Sequence, residues 1–168
     1  MNEMTFRWRE ASLPDLASVS EIQLAVHQAF PEDDAVLADR IALSPAGCFM
    51  LDSKGLSRGY VLSHPWLRGA PPSLNSLLGE IPEAADTWYI HDLALLPEMR
   101  GSGAGGGVLP MLADVARTEG FRSMSLVSVN GSRRFWERQG FEVRMDERLV
   151  QKLSSYGDDA LYMERHLV

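Results

Sequence analysis

Residues 100–116, RGSGAGGGVLPMLADVA, set five glycines into seven positions directly ahead of an apolar run with helical spacing. Glycine costs a helix interior about 1 kcal/mol relative to alanine. A chain tolerates that cost where its backbone must lie close against something, because glycine has no Cβ to hold a neighbour away. Before the glycines, WYIHDLALL at 88–96 reads as a buried strand. Strand, glycine turn and helix in that order place the chain in the α/β class and ask what the turn holds.

Three motifs compete for the answer. A phosphate loop of the form GxxxxGK[ST] is excluded, since no Lys-Ser or Lys-Thr pair follows the glycines. Gly101, Gly103 and Gly106 satisfy the spelling GxGxxG. However, PEMR intervenes after the strand, and that strand does not open a βαβ repeat. The third reading is more general: unbonded N–H groups at a helix start, with the positive end of its dipole, bind phosphate or pyrophosphate. Arg100 adds a charge at the entrance. A plain flexible turn remains open on spacing alone.

The surrounding pattern extends the fold. TFRWR alternates as a short strand, and Ser12, Pro14 and Asp15 mark a helix start, with Leu16, Val19, Ile22, Val26 and Phe30 at helical spacing. A second helix is predicted over EDDAVLADRIAL, stopped by Ser44-Pro45. GCFMLD and SRGYVLSH flank SKG as a hairpin. An irregular, proline-rich connection follows between His64 and Thr87. After the central strand and a helix through about Glu119 come the strand SMSLVSV and a short helix SRRFWERQ closed by Gly140. Two further strands, FEVRM and ALYMERH, end the pattern. Pro110 cannot donate to the carbonyl of Gly106, which predicts a kink or an irregular first turn.

Charge and composition narrow the partners. At 168 residues the chain fits a single domain over 1–168, and its net charge of -7 argues against a nucleic-acid backbone as ligand. A small anionic cofactor is still compatible, since a few local donors can override the total. No run reaches the roughly 18 apolar residues of a membrane span, and the N-terminus has no secretion-type apolar core. A cytoplasmic location without membrane or nucleic-acid partners is expected. Cys48 is the single cysteine, in a strand start, and is expected to be buried packing rather than a nucleophile. No H-x-x-x-H or C-x-x-C pattern occurs, and His27, His64 and His166 are too scattered to suggest a metal.

LALLPEMRGSGAGGGVL resembles the acetyl-CoA motif of the GCN5-related N-acetyltransferase superfamily: a strand, R/Q-x-x-G-x-G/A, then a helix. Arg100, Gly103 and Gly105 fill the signature positions. Downstream, SLVSVNGSRRFWERQGF is similar to the family's second half, with Asn130, Phe135, Glu137, Gly140 and Phe141 in register. The resemblance implies an acyl-CoA N-acyltransferase fold: a mixed, mostly antiparallel sheet of about seven strands flanked by about four helices. It implies acetyl-CoA as cosubstrate and no metal. The loop backbone of Gly101, Ser102, Gly103, Ala104, Gly105 and Gly106, with Arg100, would hold the pyrophosphate. The pantetheine arm would pair with Leu93, Ala94 and Leu95, touched by Asn130 and Phe135.

The same resemblance implies acetyl transfer to a primary amine, on a small molecule or a peptide, by direct attack in a ternary complex. The N–H of Leu95 would receive the developing oxyanion. His91 is the candidate base: strict alternation would put Tyr89, His91, Leu93 and Leu95 on one face and Trp88, Ile90, Asp92 and Ala94 on the other. Asp92 then reads as structural. The family's usual tyrosine acid is replaced by Trp136, whose indole cannot protonate a thiolate; Tyr89 or water would substitute. That departure keeps an acyl-CoA-binding regulator or degenerate homologue open as the alternative. Residues 64–87 and Tyr156 are candidate walls of the acceptor site, and a homodimer is left open.

Overall fold

The computed structural model describes residues 5–168; the first four residues of the N-terminus discussed above lie outside the described residues. A short strand, β1 (Arg7–Glu10), leads into a one-turn 3-10 segment and helix α1 (Leu16–Val26). The turn forms because the Asp15 carboxylate accepts the Ser12 N–H at 3.0 Å and pairs with Arg9 at 2.8 Å. Val19 and Ile22 bury the inner face of α1. The helix stops at Val26, four residues short of the expected Phe30, which is exposed. Helix α2 (Asp34–Leu43) follows, with Val36, Leu37 and Ile41 buried.

Strands β2 (Cys48–Ser53) and β3 (Leu56–Trp66) form the expected hairpin, turned by Lys54 and Gly55, both at positive φ. β3 runs on through His64, Pro65 and Trp66, so the irregular connection begins two residues later than the sequence pattern implied. It ends at β4 (Thr87–Leu95), which leads through the glycine turn to α3 (Ala104–Thr118). β5 (Ser123–Ser128), α4 (Arg133–Arg138), β6 (Glu142–Val143), α5 (Glu147–Lys152) and β7 (Leu161–His166) complete the described elements. Helix α5 was not anticipated from the sequence; Asp146 caps it, accepting the Leu149 N–H at 2.8 Å.

The strands make a seven-stranded sheet in the order β1-β2-β3-β4-β5-β7-β6. Each neighbouring pair is antiparallel except β4 and β5, which are parallel. One face packs Trp88, Ile90 and Leu93 against Val108, Leu109 and Leu112 of α3 and Trp136 of α4. The other packs Met50, Tyr60, Leu62 and Ala94 against Val19, Ile22, Leu37 and Ile41 of α1 and α2. Helix α3 passes through Pro110 without interruption. The irregularity expected there falls earlier, at Gly101 and Gly103, whose φ values of 77° and 85° a side chain would strain. Among the described residues no helix is long and apolar enough to cross a membrane.

β4 and β5 pair only over Trp88–Ile90 with Met124–Leu126. Beyond Ile90 they part, and a cleft opens in the gap.

Candidate active site

The register between β3 and β4 slips where the cleft begins: Leu62 faces Asp92, but the next residue, Ser63, faces Ile90. His91 is the extra residue of a β-bulge. The slip corrects the strict alternation expected for this strand. Leu93 packs toward α3 together with Trp88 and Ile90, while Ala94 packs toward α1 and α2. His91 and Asp92, expected on opposite faces, both reach the α1 side.

There each finds a partner. His91 Nε2 lies 2.5 Å from Glu32 Oε1, in the segment between α1 and α2. His27 Nε2, just past the end of α1, lies 2.8 Å from Asp92 Oδ1. The second oxygen of Asp92 accepts the Tyr60 hydroxyl at 2.5 Å, and that of Glu32 accepts the Asn75 N–H at 3.0 Å. Burial opposes ionisation of both carboxyls. The hydrogen bonds and charges of the imidazoles outweigh it and hold Asp92 and Glu32 below the usual carboxylate range. For His27, burial pulls the pKa down, but the bond to Asp92, its charge and that of Glu32 leave it raised. Sequence reasoning missed His27, Glu32 and Tyr60 as site residues. Each sits at least 30 positions from its partner, and the only local signal was the adjacent His-Asp pair at 91–92.

The cleft has a volume of ≈ 710 Å³ and is lined by both histidines, Glu32, Asp92, Arg100 and Tyr156, among others. Phe30 and Leu74 line it too, as do Asn130 and Phe135, which it shares with a narrower compartment. That compartment, of ≈ 250 Å³, lies in the parting itself, between Leu93 of β4 and Leu126 of β5, with Trp136 at its wall. Tyr89 lines the wider part only. Burial drives its hydroxyl well above the usual phenol range, Tyr156 beside it adding to the rise, while burial takes Tyr156 up to about 12. His64 is buried behind this wall, and burial pulls its pKa down to about 3, so its ring stays neutral.

The backbone of β4 is free where the strands part. Leu96 N–H bonds the Arg58 carbonyl of β3 at 2.9 Å. Amides alternate in direction along a strand, so the groups of Leu93 and Leu95 point to the uncovered edge. At the glycine turn, Gly107 N–H makes the first helical bond, to Gly103. Ala104 N–H reaches the Ser102 hydroxyl at 3.2 Å. The N–H groups of Gly101, Gly103, Gly105 and Gly106 have no acceptor among the described residues. The glycines serve different ends. Gly101 and Gly103 supply positive φ, while Gly105 lies where a Cβ would come 3.4 Å from both Leu95 and Phe135.

Trp136 packs edge-on against Phe135 and Phe141, with ring centroids 4.9 and 5.5 Å away. Cys48 is fully buried against α1 and α2, and burial lifts its thiol to about 12, which makes it packing, as expected. Among the described residues no group of three or more His, Cys, Asp or Glu side chains could hold a metal ion.

The model of the acetyltransferase (GNAT) family matches residues 13–141. The chain belongs to this family. The solved structures similar to this GNAT chain include Ard1 from Thermoplasma volcanium, at 18% identity and a TM-score of 0.75 over 97% of this chain and 98% of that one. The loading GNATL domain of CurA from Lyngbya majuscula matches at 14% identity and 0.78, over 96% and 98%. Arabidopsis thaliana Naa50, in complex with the bisubstrate analogue CoA-Ac-MVNAL, matches at 15% and 0.68, over 95% and 97%. No curated protein matches the sequence. At these identities the likeness to solved structures establishes the GNAT fold.

Proposed function

We propose that the protein transfers an acetyl group from acetyl-CoA to a primary amine by direct attack within a ternary complex. The observation that carries this reading is the uncovered edge of β4 from Leu93 to Leu95, continuous with the unbonded N–H groups at the start of α3. The loop Arg100–Gly106 would hold the pyrophosphate through those amides, and Arg100 would add its charge. The pantetheine arm would extend along Leu93, Ala94 and Leu95 as an added strand, with Asn130 and Phe135 bordering it. The cofactor, when bound, supplies an activated acyl thioester.

The chain's own residues supply the rest. The N–H groups of Leu93 and Leu95 both face the open edge; that of Leu93, which lines the compartment at the parting where Leu95 does not, would stabilise the oxyanion of the tetrahedral intermediate in place of the expected Leu95. His91 is the base. Its Nε2 is committed to Glu32, which leaves Nδ1 to take the proton of the attacking amine. Tyr89, Tyr156, Phe30 and Leu74 would form the acceptor wall, and their mixture of apolar and hydroxyl surface suits a small molecule or an unfolded peptide end. A Naa50 structure holding a peptide-linked CoA supports a cleft of this fold admitting both substrates at once.

Calorimetry with acetyl-CoA, followed by thiol release on adding lysine, spermidine, an aminoglycoside and short peptides with free α-amines, tests the proposal. Binding in the micromolar range and release with at least one amine are expected. Binding without release for every amine would favour an acyl-CoA-binding regulator, and absence of binding would overturn the assignment.

A further inference from the structure

We propose that His27, held by Asp92 and Tyr60, is the proton donor to the departing thiolate. The inference rests on the transferase reading and assigns the place left empty by Trp136, whose ring is committed to packing. The narrower compartment between the parting strands is where a thioester laid along β4 would end. Tyr89 and Tyr156 line the wider cleft and not this compartment. Of the side chains that do line it, only His27 and His91 ordinarily change protonation state near neutral pH.

The two histidines divide by their partners. His91 is tied to Glu32, which lines only the wider part, and through Glu32 to Asn75 in the acceptor-side loop. His27 is tied to Asp92, which lines both parts and lies at the start of the uncovered edge. Tyr60 donates to one oxygen of Asp92 from β3, leaving the other for the His27 Nε2–H. Nδ1 of His27 then carries the second proton of the imidazolium and has no partner among the described residues. Asp92 on β4 and Glu32 after α1 act on this ring directly, Tyr60 on β3 acts through its bond to Asp92, and His91 and Arg100 line the same compartment. Burial disfavours the charged ring, but the bond to Asp92 and the charges of Asp92 and Glu32 outweigh it and shift His27 toward the protonated form.

The step balances. The amine lone pair forms the new C–N bond to the acetyl carbon, and the C–S bond breaks with its electron pair going to sulfur. The amine proton passes to His91 Nδ1, and the proton on His27 Nδ1 passes to sulfur. The products are the acetamide and CoA thiol. One proton must then return from His91 to His27 through cleft water before the next turnover.

With the fastest amine of the panel, the wild-type kcat should fall as pH rises through the His27 pKa. His27→Gln should remove that alkaline limb and lower the plateau 10- to 100-fold, with CoA affinity within twofold of wild type. In His27→Ala, added imidazole should restore part of kcat. A retained alkaline limb, or a plateau within twofold of wild type, would overturn the assignment. Histidine NMR of the wild-type protein needs neither a variant nor an acceptor: CoA should displace the His27 titration, whereas desulfo-CoA, lacking only the sulfur, should not. Equal responses to both would overturn the donor role. Absence of CoA binding or of any thiol release by the wild-type enzyme would instead sink the transferase reading itself.

Discussion

His91 and Asp92 are adjacent in the chain, yet the bulge in β4 turns both toward α1, where they pair with Glu32 and His27. A strand of regular pleat would have sent one of them into the α3 face. The bulge therefore creates two imidazole–carboxylate pairs in one cleft from four residues drawn from two regions of the chain.

If His91 is the base, His91→Ala should lower kcat by about 100- to 1,000-fold, within the usual range for general-base loss. Steady-state kinetics with the fastest amine of the panel checks this; a kcat within twofold of wild type would eliminate His91. Glu32→Gln should reduce kcat less, since the ring survives and only its orientation loosens.

Gly103 sits at φ 85° with open space around its missing Cβ, so the cost of a side chain there is conformational rather than steric. Gly103→Ala should lose about 1–2 kcal/mol through the left-handed backbone and weaken CoA binding, because the adjacent amides would reorient. Thermal melts and calorimetry measure the two effects separately. An unaltered CoA affinity would count against the loop as the phosphate cradle.

Tyr60 is fully buried, and its hydroxyl serves Asp92. Tyr60→Phe should destabilise the fold by about 1.5–3 kcal/mol, the usual worth of a hydrogen bond to a charged group. Denaturant unfolding would show it as a lower midpoint with little change in slope.

Stability should vary with pH in both directions. Asp15, Glu32 and Asp92 have folded pKa values below their unfolded ones. Their contribution is present above roughly pH 4–5 and is lost as pH falls through the depressed values. His27 is raised, so its contribution is complete below roughly pH 6.5 and is lost as pH rises through the folded value. Melting temperature should therefore peak in mildly acidic solution, and His27→Gln should flatten the alkaline decline while leaving the acidic one.

The order of strands and helices was legible because each element carries its own period and stop signal: Ser12 and Asp15 before α1, Lys54-Gly55 between β2 and β3, glycines ahead of α3. Helix α5 escaped because, unlike the equally short α4 with its closing Gly140, it has no glycine stop and runs directly into a 3-10 turn over Leu153–Tyr156. The cofactor side of the candidate site was likewise local, lying in one strand–turn–helix unit. The proton-handling side was not. A bulge has no sequence signature of its own here, and the pairing of His27 with Asp92 spans 65 positions. Alternation counted across His91 without the bulge assigns every later residue of β4 to the wrong face.

The connection between β3 and β4 is fastened to the site near its middle. Asn75 bonds Glu32 and Asp33, Ser76 bonds Arg40, and Leu78 bonds Asp39. Remodelling of that crossover is thus constrained unevenly. Extra residues near Gly79–Glu83 leave these ties in place, whereas an insertion at 74–78 would unhook Glu32 and detune the histidine it steadies.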